Sequence, residues 1–120
     1  MWIMKPGGLS RGRGIKIYKS LTKMCDYFDK RDTDWIVMKY IENPLIVVKR
    51  KFDIRQWVLL TGVEPLVIWF FDDCYVRFAA EDYENGNKGE NKFSHLTNNS
   101  IAKYSKKDDN SIPGNMWDTT

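Results

Sequence analysis

From Lys51 to Leu60 the chain alternates. Phe52, Ile54, Val58 and Leu60 fall on one side of an extended backbone, while Lys51, Asp53, Arg55, Trp57 and Leu59 fall on the other. A period of two is the signature of a strand with two unlike faces, and such a strand needs hydrogen-bonding neighbours. They lie close in sequence. Gly62 and Pro65 mark a turn into the apolar run Leu66 to Phe71, which reads as a buried strand. Tyr75 to Ala79 reads as a further strand pairing with that run, with Arg77 directed away from Val76 and Phe78. Strands joined by short turns make an antiparallel sheet.

The flanks add to this sheet. Residues 2–6 and 15–18 read as two short strands around a glycine loop. Ser20 is an N-cap for a helix to about Asp29, with Leu21, Met24, Cys25 and Phe28 on its apolar face. Trp35 to Ile41 is apolar enough to be a strand buried on both faces, and Glu42-Asn43-Pro44 stops it. After Ala80 the composition turns polar, and residues 81–93 read as a mobile surface loop. His95 to Ser100 reads as a turn capping a short helix through Lys103; residues 104–120 have no clear period, and there are no internal repeats. The expectation is a single α+β unit, with a mainly antiparallel sheet and few helices.

At 120 residues and 42% hydrophobic, the chain is long and apolar enough for one compact core. Its longest unbroken apolar run, Leu66 to Phe71, is far too short to cross a bilayer, and no charged-then-apolar leader precedes the first strand. A cytosolic protein without a membrane partner is expected. Cys25 and Cys74 lack Cys-x-x-Cys spacing and His95 is the lone histidine, so buried free thiols are expected rather than a disulfide or zinc site. Residues 1–60 hold 13 Lys/Arg against 6 Asp/Glu, giving +7, while residues 61–120 hold 6 against 10, giving −4. The first half is thus suited to an anion such as a nucleotide, an acidic protein tail or nucleic acid, unless it is a merely solvated face.

Lys5-Pro6-Gly7-Gly8-Leu9-Ser10-Arg11-Gly12-Arg13-Gly14-Ile15 places four glycines and three cations directly after the first strand. Glycines let backbone N–H groups approach an anion, and Lys and Arg supply charge-assisted bonds, so the segment reads either as a polyphosphate loop or as a solvated turn. Arg13 and Gly14 stand where a P-loop needs Lys and Ser/Thr, and no third glycine completes a dinucleotide fingerprint. An RNA-binding Arg/Gly tract would be longer and would come with aromatic stacking platforms; here a strand and a helix follow at once. Nucleic acid is therefore not an expected partner.

Several separated stretches, in order, resemble tubulin tyrosine ligase-like enzymes. They are Lys5 to Ile15, Lys39-Tyr40-Ile41-Glu42-Asn43-Pro44-Leu45, Lys51-Phe52-Asp53-Ile54-Arg55-Gln56-Trp57-Val58-Leu59, Tyr75-Val76-Arg77-Phe78 and His95-Leu96-Thr97-Asn98-Asn99-Ser100-Ile101. Together they cover most of the chain. Gly8 to Ile15, Gln56-Trp57 and Tyr75 to Phe78 are most similar to the monoglycylase branch, which ligates glycine to glutamate side chains in tubulin tails.

The resemblance implies a partial ATP-grasp fold and an ATP-dependent ligation. ATP phosphorylates a glutamate carboxylate, and the amine of free glycine attacks the acyl phosphate. It implies that Lys5 contacts the phosphates and that Arg11, Gly12, Arg13, Gly14 and Ile15 cover them. Met38, Lys39, Tyr40 and Ile41 become the adenine hinge, Lys51 and Asp53 bind nucleotide, and Thr97 with Asn98 lies near the reacting groups. Arg55 and Arg77 become the catalytic candidates, for the γ-phosphate, the acyl phosphate or a substrate carboxylate. Tubulin and microtubules are the implied partners, in the cytoplasm and cytoskeleton, with the ciliary axoneme one setting. Two departures stand out. Met38 replaces the family's usual glutamine, and residues 99–120 carry no acidic Glu-x-Asn motif for magnesium, while Asp72, Asp73, Asp108 and Asp109 read as turn and surface residues. The expectation is the central portion of the ligase domain over residues 1–120, incomplete at both ends, with Mg2+ ligands downstream and no activity of its own. The alternatives are an inactive nucleotide- or tubulin-binding module, or a glutamate or tyrosine ligase of the same family.

Overall fold

The computed structural model describes residues 1–28, 34–84, 91–106 and 112–118. Strand β1 (Trp2–Pro6) lies between β2 (Lys16–Tyr18) and β3 (Trp35–Lys39) in an antiparallel sheet, with Ile3 opposite Ile17 on one side and Met38 on the other. Being central, β1 buries both its faces: Ile3 and Met4 point opposite ways and both are buried. Met1, Ile3 and Tyr40 form a buried cluster on which Ile15 and Ile17 pack.

Helix α1 (Leu21–Phe28) starts where the sequence indicated, with the Ser20 hydroxyl accepting from the Lys23 N–H at 3.4 Å. Its apolar face is narrower than expected. Of its residues only Met24 is buried, and Leu21 and Cys25 are exposed. The helix is held instead through rings, since Tyr27 and Phe28 meet Trp35 edge-on at 5.6 and 6.1 Å. Cys25 is exposed and Cys74 half-buried, and neither forms a disulfide, so the expectation of burial is corrected.

The second sheet runs in the order β4 (Ile46–Val47), β5 (Arg50–Val63), β6 (Leu66–Phe78), β7 (Met116–Asp118), all antiparallel. Here the expected pairing is corrected. Tyr75 to Phe78 does not fold back on Leu66 to Phe71 but continues the same strand, bringing Asp53 opposite Arg77 and Arg55 opposite Tyr75. The acidic pair Asp72-Asp73 sits in a bulge, not a turn. Between the pairs Gln56–Cys74 and Val58–Phe70, β6 has three residues against one in β5. The Gln56 amide satisfies the disrupted backbone, donating to the carbonyls of Phe71 at 2.7 Å and Trp57 at 3.0 Å.

Two apolar runs expected to be covered are not. Ile36, Val37 and Met38 of β3, and Ile68, Trp69, Phe70 and Phe71 of β6, are exposed, as are Trp57 to Leu60. An apolar run signals that a surface is suited to burial; it does not supply what covers it. Ile54, expected to pack with Phe52, is 61% exposed, whereas Phe52 is half-buried against Phe78 at 6.0 Å between ring centroids. Burial concentrates at the hairpin's root. Phe78, Ala79 and Ala80 are buried, and the Phe78 ring lies 4.7 Å from that of Trp117. Buried Arg50 donates to the Ala79 carbonyl at 3.4 Å and to Asn115 Oδ1 at 2.9 Å, tying residues 112–118 to the sheet.

Helices α2 (Lys92–His95) and α3 (Asn99–Ala102) complete the unit. His95 belongs to α2 rather than to the turn before α3. Of the segment read as a loop over 81–93, residues 85–90 lie outside the described residues, while the Glu81 carboxylate accepts from Asn91 at 2.8 Å and Ser105 at 2.9 Å. No helix among the described residues is long and apolar enough to cross a membrane. The architecture is α+β, mainly antiparallel sheet with few helices.

Candidate functional site

The glycine loop is an ordered turn pinned to α3. Arg11, Gly12 and Gly14 hold φ of 59°, 75° and 73°, in the left-handed region that glycine enters without penalty. A Cβ on Gly12 would stand 2.5 Å from Ile101 Cδ1 and 2.7 Å from Asn98 Oδ1, so only glycine lets the loop approach α3 this closely. The Ser100 hydroxyl donates to the Arg11 carbonyl at 2.9 Å from the other side. Arg11 and Arg13 present exposed side chains, Arg13 Nε bonding the Ser10 carbonyl at 3.3 Å, while Ile15 turns inward onto the core.

Lys5 of β1 and Lys51 of β5 are both half-buried, and the charge of Lys5 acts on Lys51. Burial holds the Lys51 pKa below its ordinary value, the charge of Lys5 pushes it the same way, and Asp53 opposes them. Lys51 Nζ lies 4.6 Å from the Tyr40 ring centroid and donates to the Tyr40 hydroxyl at 3.1 Å. That hydroxyl lies 2.8 Å from His95 Nδ1. His95 is 2% exposed and meets the rings of Tyr40 and Tyr83 edge-on at 5.4 and 5.3 Å. Burial, then the charge of Lys51, holds its pKa below the usual imidazole range, and burial raises that of Tyr40.

Asp53 and Arg77, opposed across β5 and β6, form a two-bond fork: Arg77 Nε donates to Asp53 Oδ1 at 2.9 Å and Nη2 donates to Oδ2. Arg77 also lines an open cavity of about 350 Å³ with Arg11, Asn98, Asn99, Ser100 and Lys103. Arg55 is not among its lining residues: exposed, it lies with its guanidinium 4.6 Å from the Trp57 ring centroid. Thr97 and Asn98 link α2 to α3, and the Asn98 carbonyl accepts from Ile101 at 2.8 Å and Ala102 at 3.0 Å. Met38, Lys39 and Ile41 lie exposed along the outer strand of the first sheet. Gly7 bonds Asp34 and Tyr40 bonds Met1, so the antiparallel alternation turns the Met38 backbone toward β1 and that of Lys39 toward the open edge.

The arrangement suits a polyphosphate. Lys51 is half-buried with the charge of Lys5 acting on it, and Arg11 of the fixed glycine turn lines a cavity with Arg77 and Lys103, so cations from several elements are there to meet an anion. The described residues do not suit a metal by themselves: no group of three or more His, Cys, Asp or Glu side chains comes together among them. Asp72 and Asp73 are exposed in the bulge, and Asp108 and Asp109 lie outside the described residues. The structure adds His95, Tyr83, Ser100 and Lys103 to the neighbourhood. Of these His95 and Ser100 stood in a stretch that resembles the family, without a role; Tyr83 and Lys103 carried no site signal.

The tubulin-tyrosine ligase family matches residues 1–120. The chain is 52% identical to tubulin glycylase 3C of Tetrahymena thermophila over 109 residues, covering 91% of this chain and 10% of that protein. It is 44% identical to tubulin monoglycylase TTLL3 of Danio rerio over 109 residues, covering 87% of this chain and 14% of that one. Against the human protein of the same name it is 40% identical over 129 residues, 98% of this chain and 16% of the other. The chain thus spans between about a tenth and a sixth of the length of these curated relatives. With a match over its whole length and a mainly antiparallel α+β architecture, the chain belongs to the tubulin-tyrosine ligase family and forms part of an ATP-grasp fold.

Proposed function

We propose that this chain supplies the nucleotide-binding face of an ATP-dependent ligase that attaches glycine to glutamate side chains of tubulin tails. The observation that carries the reading is the cationic cavity that Arg11 lines with Arg77 and Lys103 at a glycine turn that α3 holds in place. Lys5 and Lys51 take phosphate oxygens, and the turn from Arg11 to Ile15 covers them. The outward backbone of Lys39 at the open edge of β3 reads the adenine. Arg77, aimed by Asp53, and Arg11 face the transferring phosphoryl group or the acceptor carboxylate, where a fork of donors matches an oxyanion. ATP supplies the phosphoryl group that turns the glutamate carboxylate into an acyl phosphate, which the glycine amine attacks with release of phosphate. Glycine is favoured over glutamate or tyrosine because the relatives above are named glycylases. Residues 1–120 are the central portion of that domain, the remaining site residues come from other parts of the parent protein, and tubulin is the partner.

The test is incorporation of radiolabelled glycine into tubulin by the full-length parent with ATP and Mg2+. Lys5→Ala and Arg77→Ala each remove about 2–4 kcal/mol of transition-state stabilisation, the loss of one preorganised donor, while exposed Lys23→Ala is silent. The 120-residue chain alone incorporates none. Equal small effects from all three substitutions would refute the cleft assignment. Nucleotide binding without glycine transfer by the parent would make it a binding module.

A further inference from the structure

We infer that His95 is a positioning residue, which aims the Lys51 ammonium into the nucleotide cleft by way of the Tyr40 hydroxyl. The inference rests on the nucleotide-binding reading above and adds to it a residue that touches no nucleotide. An ammonium group only donates, so in the 3.1 Å contact Lys51 gives the proton and the Tyr40 oxygen accepts. The hydroxyl then has its own single proton to place, and His95 Nδ1 is 2.8 Å away. The Tyr83 hydroxyl is a second hydrogen-bond partner of Tyr40, and whether Nδ1 takes the Tyr40 proton or donates to its oxygen, the ring fixes where that hydroxyl sits.

The ring is buried and held edge-on by Tyr40 at the end of β3 and by Tyr83 after β6, so it cannot swing to offer the other nitrogen. Nε2 has no hydrogen-bond partner among the described residues, which leaves Nδ1 as the ring's polar anchor. The charge that acts on it is that of Lys51 from β5, on which Lys5 of β1 acts in turn; Asp53 is engaged in its fork with Arg77. Lys51 thus sits against a like charge on a flexible four-carbon stem. A carboxylate would fix it and neutralise it. A hydroxyl whose own proton is directed elsewhere fixes it and leaves its charge for an anion.

Isothermal titration of the full-length parent with ATP tests this. Lys51→Met weakens binding by about tenfold or more, and Tyr40→Phe and His95→Leu each weaken it by about tenfold, the loss of one hydrogen bond to a charged group. His95→Asn, whose amide can stand in for Nδ1 as donor or acceptor, stays within about twofold of the unmodified protein even where it lowers Tm. In the Lys51→Met background neither Tyr40→Phe nor His95→Leu weakens binding further, because the ammonium they position is gone. Unchanged ATP affinity in Tyr40→Phe and His95→Leu overturns the inference, as does a full additional loss on top of Lys51→Met, or His95→Asn as weak as His95→Leu. If His95→Leu does not fold, Tyr40→Phe and His95→Asn carry the same comparison. An unchanged affinity in Lys51→Met alone sinks the nucleotide assignment of that lysine, and the role of His95 falls with it.

Discussion

Gly12 is the residue at which local conformation and tertiary contact meet. Its φ of 75° already disfavours any side chain, and the nearest atoms to a Cβ there belong to Ile101 and Asn98, 89 and 86 residues away in sequence. Gly8, four residues earlier, has no such φ and open space around it. Gly12→Ala in the parent should cost about 1–3 kcal/mol and weaken ATP binding by pushing the loop off α3, while Gly8→Ala should change neither. Thermal unfolding and ATP titration of the pair decide this; comparable losses from both would mean that the turn needs glycine for flexibility and not for fit. Glycine's conformational freedom was legible in the sequence. Which of the four glycines sits against a helix was not, because Asn98 and Ile101 reach it only through the fold.

Among the elements, the β5–β6 hairpin carries the clearest division. Its root is packed, with Phe78 buried between Phe52 and Trp117, and its tip leaves Leu59, Leu60, Trp69, Phe70 and Phe71 exposed. A contiguous apolar surface of this kind is unusual on an isolated soluble unit. In the 120-residue chain Phe78→Ala should cost about 3–5 kcal/mol and Ile54→Ala no more than about 0.5 kcal/mol, read from denaturant unfolding. A larger loss from Ile54 would mean that the exposed face is covered in solution. The period of two correctly gave the faces of β5, since Asp53 and Arg77 meet on one and Phe52 and Phe78 on the other. It could not give the strand's length. Asp72-Asp73 has the composition of a turn, and only the capture of the Phe71 carbonyl by Gln56 makes it a bulge inside one long strand.

Across the whole molecule, burial disfavours the charged form of the histidine. His95 is buried with its pKa below the ordinary 6.5, so the unfolded chain takes up a proton before the folded one does. Stability contributed by the neutral ring is therefore fully present above about pH 6.5 and is lost as pH falls from there through the folded value. Tm should fall between pH 7 and pH 5 more steeply in the parent than in its His95→Asn variant, the difference isolating the imidazole from the carboxylates that also titrate in acid. Scanning calorimetry at a series of pH values gives the answer, and parallel curves would show that His95 is not the group responsible.

The sequence by itself determined the α+β class, the faces of β5, the capped start of α1 and, through motifs spread from Lys5 to Ile101, the family. Each is written in residues near one another in the chain or in ordered stretches of identity, and local periodicity and residue type are enough to read them. Only in the folded molecule does the charge of Lys5 act on Lys51, does Arg77 engage Asp53, does Arg55 lie over Trp57 rather than line the Arg77 cavity, and does His95 reach Lys51 through Tyr40. Those facts depend on strand register and on how the two sheets meet. A hydrogen bond across 55 residues leaves no periodic trace in the chain, because its geometry is fixed only once the rest of the core has packed.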